Sequence, residues 1–142
     1  MKLSTGKVAF PIEFDNGDKE VIYFNPNDPD LIFRMRDFGK KVTEKVKDIE
    51  DIELNDEGNP IDSAKIKAFE KAQNILKVEL DYAFGGDISS KVFKHCSPFA
   101  IIGDNYFVIQ FIEAISPEIE KSIKKANSDA EKRMSKRFEN RK

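Results

Sequence analysis

Two groups of residues have side chains that could do chemistry. His95 and Cys96 are the only histidine and the only cysteine in the chain, and they are adjacent. A thiolate activated by an imidazole is a familiar nucleophile. Neighbours in sequence usually point apart, however, and no third residue is placed to orient the imidazole, so the pair reads as a helix end packed by Cys96. Asp51, Glu53, Asn55 and Glu57 alternate as oxygen ligands do around calcium. They lack the central glycine and closing bidentate glutamate of such a loop, so they read as a solvated acidic connection. No phosphate-binding glycine loop and no zinc-ligand array is present. The sequence therefore assigns no catalytic residue, no metal ligand, no cofactor and no enzymatic activity.

Charge is the next signal. Residues 121–142 hold nine Lys/Arg against three Asp/Glu, a net of +6, so with the whole chain at −2 the other 120 residues carry −8. An acidic body with a basic tail is a cue for partner binding. Nucleic acid is not the expected partner, because the body's charge opposes it and no aromatic residues interleave the lysines. Arg34, Arg36, Lys40 and Lys41 form a smaller basic group, expected to pair with Asp30, Asp37 and Glu44. A single cysteine excludes an internal disulfide framework and suggests a reducing compartment. Neither a leader peptide nor a membrane span is expected, since no apolar run approaches ~18 residues.

These residues must be carried by a chain of 142 residues, the size of one domain, with 12 phenylalanines to build a core. Val8, Phe10, Ile12 and Phe14 alternate, and Asn16-Gly17 then signals a hairpin returning over Lys19–Phe24. A two-residue loop would set Phe10 opposite Tyr23 and Ile12 opposite Val21, with Ile22 and Phe24 on the other face beside Pro11. Asp28-Pro29 starts a helix with the stripe Leu31, Met35, Phe38, Val42, Val46 and Ile49. Gly39 within it suggests close packing.

After the loop Asn55–Pro60, a second helix over about 62–84 carries Phe69, Ala72, Leu76, Leu80 and Ala83, widened by Ile66, Ile75 and Val78. The short connection favours an antiparallel pair. Phe84-Gly85-Gly86 then makes a corner, with Asp87 and two serines expected to cap a short helix that brings Phe93 into the same core as Phe84. Cys96–Gly103 is expected to pack inside, and Asp104 or Asn105 to cap a fourth helix. Ser116-Pro117 is expected to restart the chain as a final helix bearing Ile119, Ile123, Ala126, Ala130, Met134 and Phe138. That stripe is thin and needs a cover. Ile119, Ile123, Met134 and Phe138 are therefore the candidate partner-binding residues. The expected fold is mainly α with an N-terminal β-hairpin (α+β), a compact helical domain of four to five helices. Residues 1–116 form the body and 117–142 a charged helix or tail.

This order of parts resembles the tail assembly chaperones of long-tailed bacteriophages, or prophages, of Gram-positive bacteria. The resemblance rests on the hairpin, on Phe24-Asn25-Pro26-Asn27-Asp28 leading into a helix, on Leu80–Phe93 with its double-glycine corner, and on Phe111–Ile119. It implies a non-enzymatic protein that binds the long, apolar tape measure protein and helps recruit tail tube subunits, with self-association fitting as well. It also implies residence in the host cytoplasm and absence from the mature virion. Many members are also made in a longer, frameshifted form. Other readings are a structural tail-completion or connector protein, and a small cytosolic nucleic-acid-binding regulator.

Overall fold

A computed structural model describes residues 1–55 and 63–139, without the side chains of 52–55, 126, 127, 130 and 137–139. The chain runs β1 (Val8–Glu13), β2 (Lys19–Phe24), α1 (Pro29–Asn55), α2 (Ser63–Phe84), α3 (Ser89–Val92), β3 (Ile101–Ile102), β4 (Asn105–Tyr106) and α4 (Phe107–Glu139). This is a mainly helical α+β fold, as the periodicities predict. The acidic connection Asn55–Pro60, with Glu53 and Glu57, lies outside the described side chains, as does Phe138.

The hairpin forms, but one residue out of the expected register. Its pairs are Phe10 with Ile22 and Ile12 with Glu20. A two-residue Asn-Gly turn of the favoured type needs positive φ at both positions, and here only Gly17 has it, at +88°. The loop instead takes three residues: the Gly17 amide donates to the Phe14 carbonyl at 3.0 Å, and the Phe14 amide donates to the Asp18 carbonyl at 2.9 Å. A one-residue slip exchanges faces. Phe10 therefore stands with Ile22 and Phe24 rather than opposite Tyr23. Ile22 and Phe24 are fully buried, while Tyr23 is half exposed.

The register also decides the hairpin's edges. Bonded pairs alternate from Phe14/Asp18, so the main-chain groups of residues 9, 11 and 13 on β1 and 19, 21 and 23 on β2 point outward. Pro11 removes the central donor from the β1 edge, the position a strand proline tolerates. On the β2 edge the Lys91 ammonium donates to the Val21 carbonyl at 2.8 Å. Both edges are thus blunted against strand addition.

Asp28 caps α1, its carboxylate accepting the Asp30 amide at 3.0 Å. Leu31, Phe38, Val42 and Ile49 are buried as the stripe predicts, with Met35 and Val46 partly so. α1 and α2 are antiparallel: Arg34, early in α1, lies 4.8 Å over the ring of Tyr82, late in α2. The basic group on α1 is engaged locally, Arg36 with Asp37 at 3.5 Å and Lys41 with Glu44 at 3.7 Å. Two expectations fail here. Ile66 and Val78 are exposed, because the buried stripe of α2 is narrower than its apolar residues suggest. A Cβ at Gly39 would meet nothing within 4 Å, so that glycine serves no close approach.

α4 differs most from expectation. It is one helix of 33 residues that runs through Pro117, where a restart was predicted. The helical bond that Pro117 cannot make is to the Glu113 carbonyl, while the Ser116 hydroxyl one residue earlier donates to the Ile112 carbonyl at 2.7 Å. The helix start is held by main chain rather than by an Asp104 or Asn105 cap. The Phe107 amide donates to the Ala100 carbonyl at 2.8 Å and the Val108 amide to the Pro98 carbonyl at 3.0 Å, meeting two of the four free donors. The segment before it packs only in part. Pro98 and Phe99 are buried, but Ile101 is 70% exposed and Ile102 48%, on the small β3–β4 hairpin.

Candidate partner-binding cleft

The corner after α2 sets the site in place. Gly85, at φ +74°, closes α2, and the amides of Gly85 and Gly86 both donate to the Asp81 carbonyl, at 2.9 and 3.1 Å. The expected cap residue, Asp87, does not cap α3; its carboxylate accepts the Ser90 hydroxyl instead. Asp81 does the capping, from the last turn of α2. Its side chain accepts the Ile88 amide at 2.9 Å, the Ser89 amide at 2.7 Å and the Ser89 hydroxyl at 2.9 Å. Both helix ends are thereby tied to one residue. Phe84 and Phe93 do enter one core, through different neighbours: Phe84 meets Phe24 at 4.9 Å and Phe111 at 6.1 Å, and Phe93 meets Phe107 at 6.0 Å.

So placed, the end of α3 grips the hairpin. Lys94 Nζ lies 2.9 Å from Asp18 and 3.1 Å from Glu20, and His95 Nε2 lies 2.8 Å from Asp18. The Phe14 ring packs edge-on to His95 at 4.7 Å. Lys94, then His95, holds the Asp18 carboxyl below the usual carboxylate range. Asp18, then Glu20, raises the Lys94 ammonium. A lowered acid stabilises the fold above its unfolded pKa, and that contribution is lost as pH falls through the lowered value. A raised base stabilises below its ordinary pKa and loses that contribution as pH rises through the raised value. The brace is thus intact across the neutral range. In an NMR titration the side-chain carboxyl carbon of Asp18 should hold steady down to about pH 4, the ordinary carboxylate value, and move only below it. A carboxyl transition at or above that value would contradict the assignment.

Beside this brace lies a cleft of about 500 Å³. Ile12 and Phe14 form the hairpin wall, Val92, His95 and Cys96 the floor after α3, Ile102 one lip, and Phe107, Gln110, Phe111 and Ala114 the α4 wall. Glu13 and Asp15 stand exposed at its rim. The lining is mostly apolar, suited to receiving a nonpolar face. Its Cys96 thiol is pushed up by burial, the opposite of what an attacking thiolate needs. His95 is turned to Asp18. Among the described residues no three His, Cys, Asp or Glu side chains gather as a metal site. No helix among them is long and apolar enough to cross a membrane.

The candidate partner residues on the last helix whose side chains are described do not share one exposed surface. Ile119 is 7% exposed and holds α4 to the core, and Ile123 is half-buried against it. Met134, at 57% exposed, is the one that faces solvent among those whose side chains are described. Around it Lys124, Lys125, Lys132, Arg133 and Lys136 are all exposed. The cleft residues were missed because they come from segments far apart in sequence. Their one local signal was the Ile12/Phe14 alternation. Comparison with known protein families, with characterised proteins and with solved structures finds no match for this chain.

Proposed function

We propose that this protein is a non-enzymatic tail assembly chaperone that takes apolar helical segments of a tape measure protein into the cleft and helps recruit tail tube subunits. The observation that carries the reading is the open, largely apolar cleft between the hairpin and α4. It offers a groove for an amphipathic helix, a recurring way in which a folded domain holds a helical client. The resemblance in Leu80–Phe93 supplies the identity of that client, and the high surface charge supplies the solubility such a task requires. The same reading puts the protein in the host cytoplasm and outside the finished virion.

Co-expression with the tape measure protein encoded beside it tests the reading. The expected result is a tape measure protein that stays soluble and co-purifies with the chain, with recovery falling several-fold when Gln110→Arg or Ala114→Arg, at exposed positions of the cleft wall, blocks it. Stoichiometric presence of the chain in purified virions would favour a connector or tail-completion role and sink the chaperone reading.

A further inference from the structure

We infer that the cleft also receives the basic end of α4 from a second copy of this chain. Three observations converge on that occupant. The first is charge: the rim carries Glu13 and Asp15, and Lys94, just beyond α3, is already engaged by Asp18 and Glu20. The matching surface is on the same molecule, where residues 121–142 carry +6 against −8 for the rest. Opposite potentials on two patches of one chain favour their meeting across copies.

The second is shape. Met134 is an exposed apolar side chain set among exposed Lys132, Arg133 and Lys136. A flexible thioether suits an irregular apolar cleft, while the cations beside it reach the acidic rim. The third is geometry. Ala114 in the cleft wall and Met134 lie on one uninterrupted helix. They are separated by about 30 Å at 1.5 Å per residue. The tail therefore cannot fold back into its own cleft, and can enter only that of another copy. The hairpin offers no competing route to self-association, since Pro11 and Lys91 blunt its two edges.

One cleft and one tail per copy make the contact a pairing of unlike surfaces, which closes as a reciprocal dimer or a ring, or propagates as a chain. This inference stands independently of the chaperone reading, because the purified chain alone tests it. Sedimentation velocity of the full chain at low salt should show mass rising with concentration, and falling as salt screens the contact. Lys132→Glu with Arg133→Glu, and separately Glu13→Lys with Asp15→Lys, should each raise the concentration for half-association at least tenfold. All four sites are exposed. A chain carrying all four reversals should regain association, because the complementarity is restored with its signs exchanged. A strict monomer at every concentration overturns the inference. So does association that tail reversal leaves unchanged, or that the fourfold variant fails to regain.

Discussion

Phe24→Ala should lower the thermal midpoint by roughly 10–15 °C, the largest loss expected from any single hairpin residue. Phe24 is fully buried, stacks on Phe10 with centroids 4.1 Å apart, and meets Phe84 edge-on at 4.9 Å. Truncating a buried phenylalanine costs about 3–5 kcal/mol, from lost transfer energy and from the cavity left behind. Set against the ~5–15 kcal/mol that holds a typical domain together, this is a large fraction. The effect should spread, because Phe24 is the ring through which the hairpin joins the helical core. Two strands alone are marginal in water. Circular dichroism melts would show it, and a midpoint within about 3 °C of the parent would mean that the hairpin is not anchored through this ring.

Asp81→Ala should destabilise the chain by about 2–3 kcal/mol, with the damage concentrated in α3. The substitution strands two backbone amides and the hydroxyl of Ser89, which is 7% exposed. Loss of an N-cap acceptor alone costs up to about 2 kcal/mol, and unpaired buried groups add to it. The effect is informative because Asp81 is badly placed for its own helix. A carboxylate in the last turn faces the negative end of the helix dipole. If the side chain served only α2, alanine would be neutral or slightly stabilising. Chemical denaturation gives the total. Amide exchange should accelerate at residues 88–93 and stay near the parent rate through the middle of α2. Asp81→Asn, which keeps one acceptor oxygen, should recover about half of the loss.

Much of the architecture was legible because it depends on local chemistry. The stripe from Leu31 to Ile49 and the Asp28-Pro29 start were enough for α1, and the double glycine was enough for the end of α2. Each failure has a tertiary cause. The hairpin register turned on whether Asn16 takes positive φ, which the Asn-Gly pair permits but does not compel. The cap of α3 came from seven residues upstream, not from Asp87 beside it, because the Gly85 turn brings Asp81 to the new helix start. Pro117 read as a break, yet the packing of Ile115 and Ile119 on either side carries the helix through it. The cleft was the least legible. Phe14, Val92, Ile102 and Phe111 each look like ordinary core residues in sequence, and only the packed chain leaves a gap between them.

The unbroken path of α4 makes it a lever. Its fulcrum is where Ile115 and Ile119 fix it to the body. The arm toward Phe107 is about 12 Å long and the arm toward Glu139 about 30 Å, at 1.5 Å per residue. A ligand that wedges Phe107 outward by about 2 Å would swing the far end by about 5 Å the opposite way, in proportion to those arms. Pro117 sits at the pivot and cannot donate the usual hydrogen bond to the preceding turn, so bending there would absorb part of that swing. A helix that stays stiff through Pro117 would carry a displacement at the cleft to the basic tip, linking its two ends.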